Sequence, residues 1–263
     1  MDHFTGAVVV ASARYRLRVL TVRDSLLVAV LRGTKTLVGA QRTLTAAAGQ
    51  TMLVAAGTEW DVVNDPAGQS RYEALVLPFS GPLVEEATAH FPGGQNTEVN
   101  SAAVLTADDE LLNAVRRTVP LPGQPLPTDR LMHHRCLEVL LLLGERGHRF
   151  AAPGALGWEA RIRRLVAQRP HAQWTVDSLA GSFHMSASTL RRRLAESGAT
   201  LAAIVREVRL EIALGLLQTT ELPIGDIAQR CGWQSHSRFT ATFQARWGVA
   251  PSVVKARTQL ETN

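Results

Sequence analysis

The chain has 263 residues, 46% of them hydrophobic and 19% charged, with 2 cysteines and a formal net charge of +5. That length suits two domains, each able to bury a core, and Cys136 and Cys231, both set among apolar residues, predict buried thiols in a reducing compartment rather than a disulfide or metal framework. No apolar run approaches the ~18 residues of a membrane span, and Met1-Asp2-His3 lacks a charged-then-apolar leader, so a cytoplasmic chain with no membrane partner is expected.

In chain order, Ala7–Val10, Arg14–Leu20, Ser25–Leu31, Thr36–Val38, Thr51–Val54, Trp60–Asn64 and Tyr72–Pro78 are β-branched or alternating and read as strands. Gly33, Gly39, Gly49, Gly57 and the run Asn64-Asp65-Pro66-Ala67-Gly68 punctuate them. Many short strands at this spacing predict a small sandwich or barrel. Helical periodicity follows over Pro82–His90, over Asp108–Thr118 behind a Thr106 cap, and over Asp129–Glu145. In the last of these Leu131, Cys136, Leu137, Leu140 and Leu141 form a broad apolar face, which leaves burial within the chain and a dimer seam both open. The prolines of 120–127 predict a loop, and Arg149–Gly157, with Ala151-Ala152-Pro153-Gly154, reads as the linker between domains 1–150 and 158–260.

Charge divides at that linker. Residues 158–263 hold 14 of the 28 basic and 8 of the 23 acidic side chains, a net of +6, whereas residues 1–157 carry a net of −1. A basic domain joined to a near-neutral one points to a polyanionic partner for the first and a different partner for the second. The basic side chains are nearly all arginines, which suit bidentate contact with phosphate and guanine edges.

The basic part contains a near-repeat. Leu179, Ala180, Phe183, Met185, Leu190, Leu194 and Gly198 are matched by Ile227, Ala228, Cys231, Trp233, Phe239, Phe243 and Gly248, with the offset growing from 48 to 50 as a longer turn would require. Each copy reads as a helix, a tight turn and a second helix, over about 176–197 and 224–247. In the first, Thr175 and Ser186 cap the two helices and Gly198 closes the second. With Leu190 and Leu194 turned inward, Ser188, Arg191 and Arg192 share the outer face, and Arg193 lies off it, placed for a phosphate or as part of a solvated basic face. In the second copy Pro223 opens a helix that Gly232 ends, Ser235 caps the next, and Phe239 and Phe243 face inward. His236, Ser237, Arg238 and Thr240 are then the groove-side candidates, with Arg246 nearer the backbone, and His236 equally readable as a surface residue. Leu201–Gln218 joins the copies as an amphipathic helix. Eighteen helical residues span about 27 Å, close to the ~34 Å between successive major-groove faces.

The residues from Leu179-Ala180 through Met185–Leu194 and Gly198, then Arg209, Ala213 and Leu216-Leu217, then Ile224, Ile227-Ala228, Gly232-Trp233, Ser235, Ser237-Arg238-Phe239, Phe243, Gly248 and Pro251, resemble the DNA-binding domain of the AraC/XylS family of bacterial transcription regulators. The similarity covers about 161–258. It implies base-edge contacts from Ser188, Arg191, Arg192, His236, Ser237, Arg238 and Thr240, and backbone contacts from Arg193 and Arg246. Ala241 departs from it, standing where many relatives carry an arginine. The first domain is similar in order and strand pattern to the family's companion domain, a cupin-like β-barrel with helices that senses a small molecule or dimerises. The resemblance thus implies an α+β chain: a cupin-like barrel, then an all-α domain of two helix-turn-helix units on a linker helix. It further implies double-stranded promoter DNA, RNA polymerase, an unknown small-molecule effector and a second copy of the chain as partners, and an activator rather than an enzyme.

Arg32 and Lys35, flanking Gly33, could anchor an acidic effector at the barrel mouth, or simply face solvent; Trp60 and Tyr72 could line a pocket or pack in the core. His3, His90, His133, His134 and His148 lie outside the strands or far apart, which argues against a metal-holding cupin and predicts no cofactor. Two other readings stay open: a cupin-type enzyme or small-molecule-binding protein fused to a DNA tether, and a constitutive regulator whose first domain only dimerises.

Overall fold

The computed structural model describes residues 6–39, 42–91, 96–119, 127–151 and 158–255. Most of the proline-rich loop and of the expected linker lie outside them. The described residues divide into two compact units, 6–151 together with 246–249, and 158–245 with 250–255.

The first unit opens with eight strands: β1 (Ala7–Ala11), β2 (Tyr15–Val22), β3 (Ser25–Arg32), β4 (Thr34–Val38), β5 (Thr43–Ala47), β6 (Gln50–Val54), β7 (Thr58–Asp65) and β8 (Tyr72–Phe79). After them come α1 (Gly81–Ala89), β9 (Thr97–Val99), β10 (Ala102–Thr106), α2 (Asp109–Arg117), α3 (Asp129–Glu145) and β11 (His148–Phe150). One antiparallel sheet has the order β1-β8-β3-β6-β10 and a second the order β2-β7-β4-β5, while β9 and β11 form a short parallel pair. Alternation sorts the side chains. Leu27 and Ala29 of β3, Leu53 of β6, and Leu75, Leu77 and Phe79 of β8 pack against Leu83 and Val84 of α1, Leu111 and Val115 of α2, and Cys136, Val139 and Leu143 of α3. The opposite face of the same sheet, with Val28, Met52 and Tyr72, is also buried, as are Tyr15, Leu17, Leu37 and Val62 of the second sheet. Burying one such aliphatic side chain is worth about 1.5–3 kcal/mol, so both faces of the first sheet hold this unit together.

Local detail departs from the sequence reading in two places. Asp108, not Thr106, caps α2: its carboxylate accepts from the Leu111 amide at 2.9 Å, whereas Thr106 ends β10. β5, β9, β10 and β11 add to the strands that the sequence predicts; each is short and lies at a sheet edge or in the two-stranded pair. Gly33 makes the tight β3–β4 turn at φ 74°, where any Cβ would run into the Asp65 carbonyl oxygen.

The second unit is all helical: α4 (Trp158–Gln168), α5 (Val176–Ser182), α6 (Ala187–Glu196), α7 (Leu201–Thr219), α8 (Ile224–Arg230), α9 (His236–Trp247) and α10 (Pro251–Val254). Ile162 and Val166 of α4 join Leu179, Ala180, Leu190, Leu194, Ile204 and Val208 in one apolar cluster. Arg163, itself buried, ties α4 to α7 through Glu211 at 2.5 Å. Toward the C-terminal end Leu214, Leu217, Ile227, Ala228, Cys231, Phe239 and Phe243 are buried, with the Phe239 ring 5.8 Å from Trp233 and 5.6 Å from Phe243. α7 packs against α4, α8 and α10 and so carries both helix pairs. The two units together make an α+β chain.

Candidate nucleic-acid interface

Both copies of the repeat build the same turn. The Met185 amide reaches back to the Ala180 carbonyl at 3.0 Å, and the Trp233 amide to the Ala228 carbonyl at 2.9 Å. The residue before each must take a left-handed conformation: His184 at φ 52° in the first and Gly232 at φ 81° in the second. Four residues separate α5 from α6 and five separate α8 from α9, which accounts for the step from 48 to 49 in the repeat. The capping serines then set the reading helices alike. The Ser186 hydroxyl accepts from the Thr189 amide at 3.2 Å and lies 2.9 Å from that of Ser188, while the Ser235 hydroxyl accepts from the Arg238 amide at 3.3 Å and lies 3.0 Å from that of Ser237.

Burial decides what each helix shows to solvent. On α6, Leu190 and Leu194 are buried, and Ser188, Arg191 and Arg192 are exposed, as are Ala195 and Glu196. Arg192 stands directly opposite the buried leucines at 100° per residue, and its side chain is 69% exposed. Arg193 is placed differently. Its guanidinium lies over the Trp158 ring at 5.7 Å, and its Nη1 reaches Glu196 at 3.6 Å. Trp158 carries a second guanidinium, that of Arg161, at 4.6 Å, and meets Phe183 edge-on at 5.6 Å. A group expected at a phosphate or on a solvated basic face therefore has an internal partner.

On α9, Phe239, Phe243 and Trp247 are buried, and His236, Ser237, Arg238, Ala241, Gln244 and Ala245 are exposed. Thr240 departs from its expected place: its hydroxyl is fully buried and without a hydrogen-bond partner, because residue 240 flanks the aromatic face. His236 is exposed only because it begins the helix, for its position shares the angular side of Phe239 and Phe243. Arg246 sits half-buried in the last turn, its guanidinium 5.7 Å from the Trp247 ring centre. Gln244, unremarked in the sequence, falls on the outward stripe with Ser237 and Ala241, at spacings of three and four that were available to find it.

One residue spans both copies. Arg209, near the middle of α7, donates from Nε to the Pro170 carbonyl at 2.7 Å, from Nη2 to that of Ala172 at 3.0 Å, and from Nη1 to that of Gly232 at 3.2 Å. Burial lowers its pKa from the usual arginine value, while the neighbouring Cys231 acts in the opposite sense. The same burial pushes the Cys231 thiol up to about 11.

The effector candidates separate. Lys35 of β4 is buried rather than at a mouth; its ammonium donates to Asn64 Oδ1 at 3.0 Å, and Asn64 Nδ2 donates to the Tyr15 hydroxyl at 2.7 Å. Lys35, Asn64 and Tyr15 are successive cross-strand partners on β4, β7 and β2. The Lys35 ammonium lies 6.0 Å from the Tyr72 ring centre, and the Tyr72 hydroxyl is buried without a hydrogen-bond partner. Burial brings the Lys35 pKa down to about 8. Arg32 does not join this group: it is exposed, 4.0 Å from Glu73. Trp60 packs over Gly39 and under the Arg42 guanidinium at 5.8 Å. Asn64 was legible from the alternation Trp60, Val62, Asn64, but its place beside a turn signal hid it. Among the described residues no group of three His, Cys, Asp or Glu is placed to hold a metal. No helix there is long and apolar enough to cross a membrane.

Residues 5–149 match the family model described as the AraC-type transcriptional regulator N-terminus, more than half of the chain. The chain belongs to the AraC-type transcriptional regulators. Residues 179–257 also match a helix-turn-helix domain model. An uncharacterised HTH-type transcriptional regulator of Mycobacterium tuberculosis is 29% identical over 175 residues, 59% of this chain and 49% of that protein. The urease operon transcriptional activator of Escherichia coli is 31% identical over 91 residues, 35% of this chain and 31% of that protein. The ornithine utilization regulator of Pseudomonas aeruginosa is 35% identical over 96 residues, 36% of this chain and 28% of that protein. The chain spans about half the length of the first of these relatives. In fold it is similar to ToxT from Vibrio cholerae, crystallised with an unsaturated fatty acid, at a TM-score of 0.61 and 16% identity over 96% of each chain.

Proposed function

We propose that this AraC-type chain is a sequence-specific DNA-binding transcription regulator that acts as an activator. In this reading residues 158–260 form the DNA-binding domain, and 1–150 the effector-binding or dimerisation domain. The observation that carries it is the exposed row Ser188, Arg191 and Arg192 on α6, set above buried Leu190 and Leu194 on a capped helix. A helix so held can lay its outer side chains along base edges in a major groove, with arginine bidentate to guanine. Ser237, Arg238 and Gln244 would form the second reading row on α9. Two of the relatives are named as regulators, and one of these, the urease operon transcriptional activator, supports the same direction of control. A meeting with RNA polymerase at the promoter would be part of that control. Selection of bound DNA from a random pool by the purified chain tests the reading. Recovery of a two-part motif supports it, and recovery of unrelated sequences removes it.

The first unit would supply control. Lys35 is a buried ammonium that, among the described residues, meets the neutral Asn64 side chain and the Tyr72 ring, so an effector with a carboxylate would satisfy the cation and the idle Tyr72 hydroxyl together. A thermal-shift screen against small monocarboxylates checks this. Stabilisation that vanishes in Lys35→Met supports an acidic effector. No shift with any acid leaves the first unit as a pairing domain, for which Leu131, 44% exposed on α3, offers an apolar contact.

A further inference from the structure

The two reading helices need more than correct faces; they must stand at one fixed spacing and rotation for a single DNA duplex to satisfy both. Apolar packing holds each helix pair on α7, but such contacts carry no direction of their own. Arg209 adds a directional tie. Its guanidinium is anchored in α7, and its three nitrogens donate to carbonyls of two other segments: the Pro170–Ala172 stretch that leads into the first helix pair, and Gly232 in the turn of the second. The fork geometry of a guanidinium fixes direction as well as distance. Pivoting either pair breaks at least one of these bonds and leaves a half-buried charge with an unmet donor.

Gly232 shows that this approach is built into the fold. A Cβ at that residue would lie 2.9 Å from Cζ and Nη2 of Arg209 and 2.9 Å from the His171 Cα. In the first copy the matching turn residue is His184, which keeps its side chain despite the same left-handed backbone. Glycine in the second turn thus answers two needs, the positive φ and the room for the guanidinium.

We infer that Arg209 is a positioning residue that sets which spacing between two half-sites the protein accepts on DNA. It touches no base in this role. Its effect is to make the second reader's position depend on the first, so that operators with one or two base pairs added or removed between half-sites are rejected. This rests on the two-reader DNA-binding function proposed above.

The test uses the full chain and the motif that the wild type selects. Operators are made with the two half-sites separated by two fewer to two more base pairs than selected, and with either half-site scrambled. The wild type is expected to prefer one spacing by about tenfold or more, a misfit of about 1.4 kcal/mol per factor of ten. Arg209→Met is expected to flatten that profile to within about threefold while binding singly scrambled operators as the wild type does. Arg209→Lys, which keeps charge but lacks the fork, is expected to fall between and covers the case in which Arg209→Met does not fold. A profile as sharp as the wild type's in both variants overturns the inference. So does an equal loss on every operator, scrambled ones included, because that is general destabilisation. If the wild type itself selects no two-part motif, the DNA-reading function fails instead, and the two failures are distinguishable.

Discussion

The two helix pairs share a backbone design and differ in what they load onto it. Both close on a left-handed residue, both cap the reading helix with serine, and both bury the positions one turn apart that hold it down. The first places arginine at the outward position, residue 192, and keeps a histidine in its turn. The second has Ala241 at the matching outward position, moves its arginine to 238, and uses glycine in the turn, where Arg209 reaches in. Charge is concentrated in one reader and geometry is governed at the other. A shared scaffold therefore does not imply shared energetics: the first pair should dominate affinity, and the second should decide fit.

The scaffold half of that comparison gives the largest expected effects. Leu190→Ala should cost about 2–5 kcal/mol and Phe239→Ala about 3–5 kcal/mol by cavity formation, read by urea unfolding. Equal reading scaffolds require both to be severe, and a mild effect at either would break the equivalence. Next, Arg192→Ala should lose about 1–3 kcal/mol at the selected operator and relax base preference in one half-site only, measured by binding to a panel of single-base variants. An unchanged panel removes Arg192 from base reading. Gly232→Ala should cost about 1–2 kcal/mol for the left-handed backbone alone, plus displacement of Arg209. His184→Gly should stay near neutral, because relief of backbone strain is offset by the freedom glycine adds to the unfolded chain. Similar thermal-melt shifts in these two variants would show the turns to be interchangeable.

Two smaller effects sharpen the difference in charge. Ala241→Arg should steepen the salt dependence of binding by about one unit, bringing the second reader toward the first. Arg193→Ala should weaken all sequences alike, and by no more than about 1 kcal/mol of stability if its contact with the Trp158 ring is what is lost. A loss confined to one sequence would move Arg193 from the backbone to the base-reading set.

The helix boundaries of the basic half were legible because caps and periodicity act within a few residues. Thr175, Ser186 and Ser235 announce helix starts, and α5, α6 and α9 each begin at the residue that follows. Side-chain orientation was less accessible. The spacing of its neighbours points Thr240 outward, yet the aromatic cluster draws its hydroxyl under cover. The sequence places Arg193 for a phosphate or on a solvated basic face, yet a tryptophan 35 positions earlier shares it. In the first unit Lys35 was singled out beside Arg32 because both flank Gly33, but strand alternation sends one in and the other out.

By itself the sequence determined the division of charge, the doubled helix-turn-helix and the strand-rich character of the first half, all of which follow from local periodicity, caps and composition. Only the tertiary structure decided which polar groups share an interior and which carbonyls a given arginine meets. Arg209 joins residues 39, 37 and 23 positions away, and Lys35 meets Asn64 at a separation of 29. Such partners are chosen by how helices and sheets pack, because a buried donor must find an acceptor wherever the fold provides one.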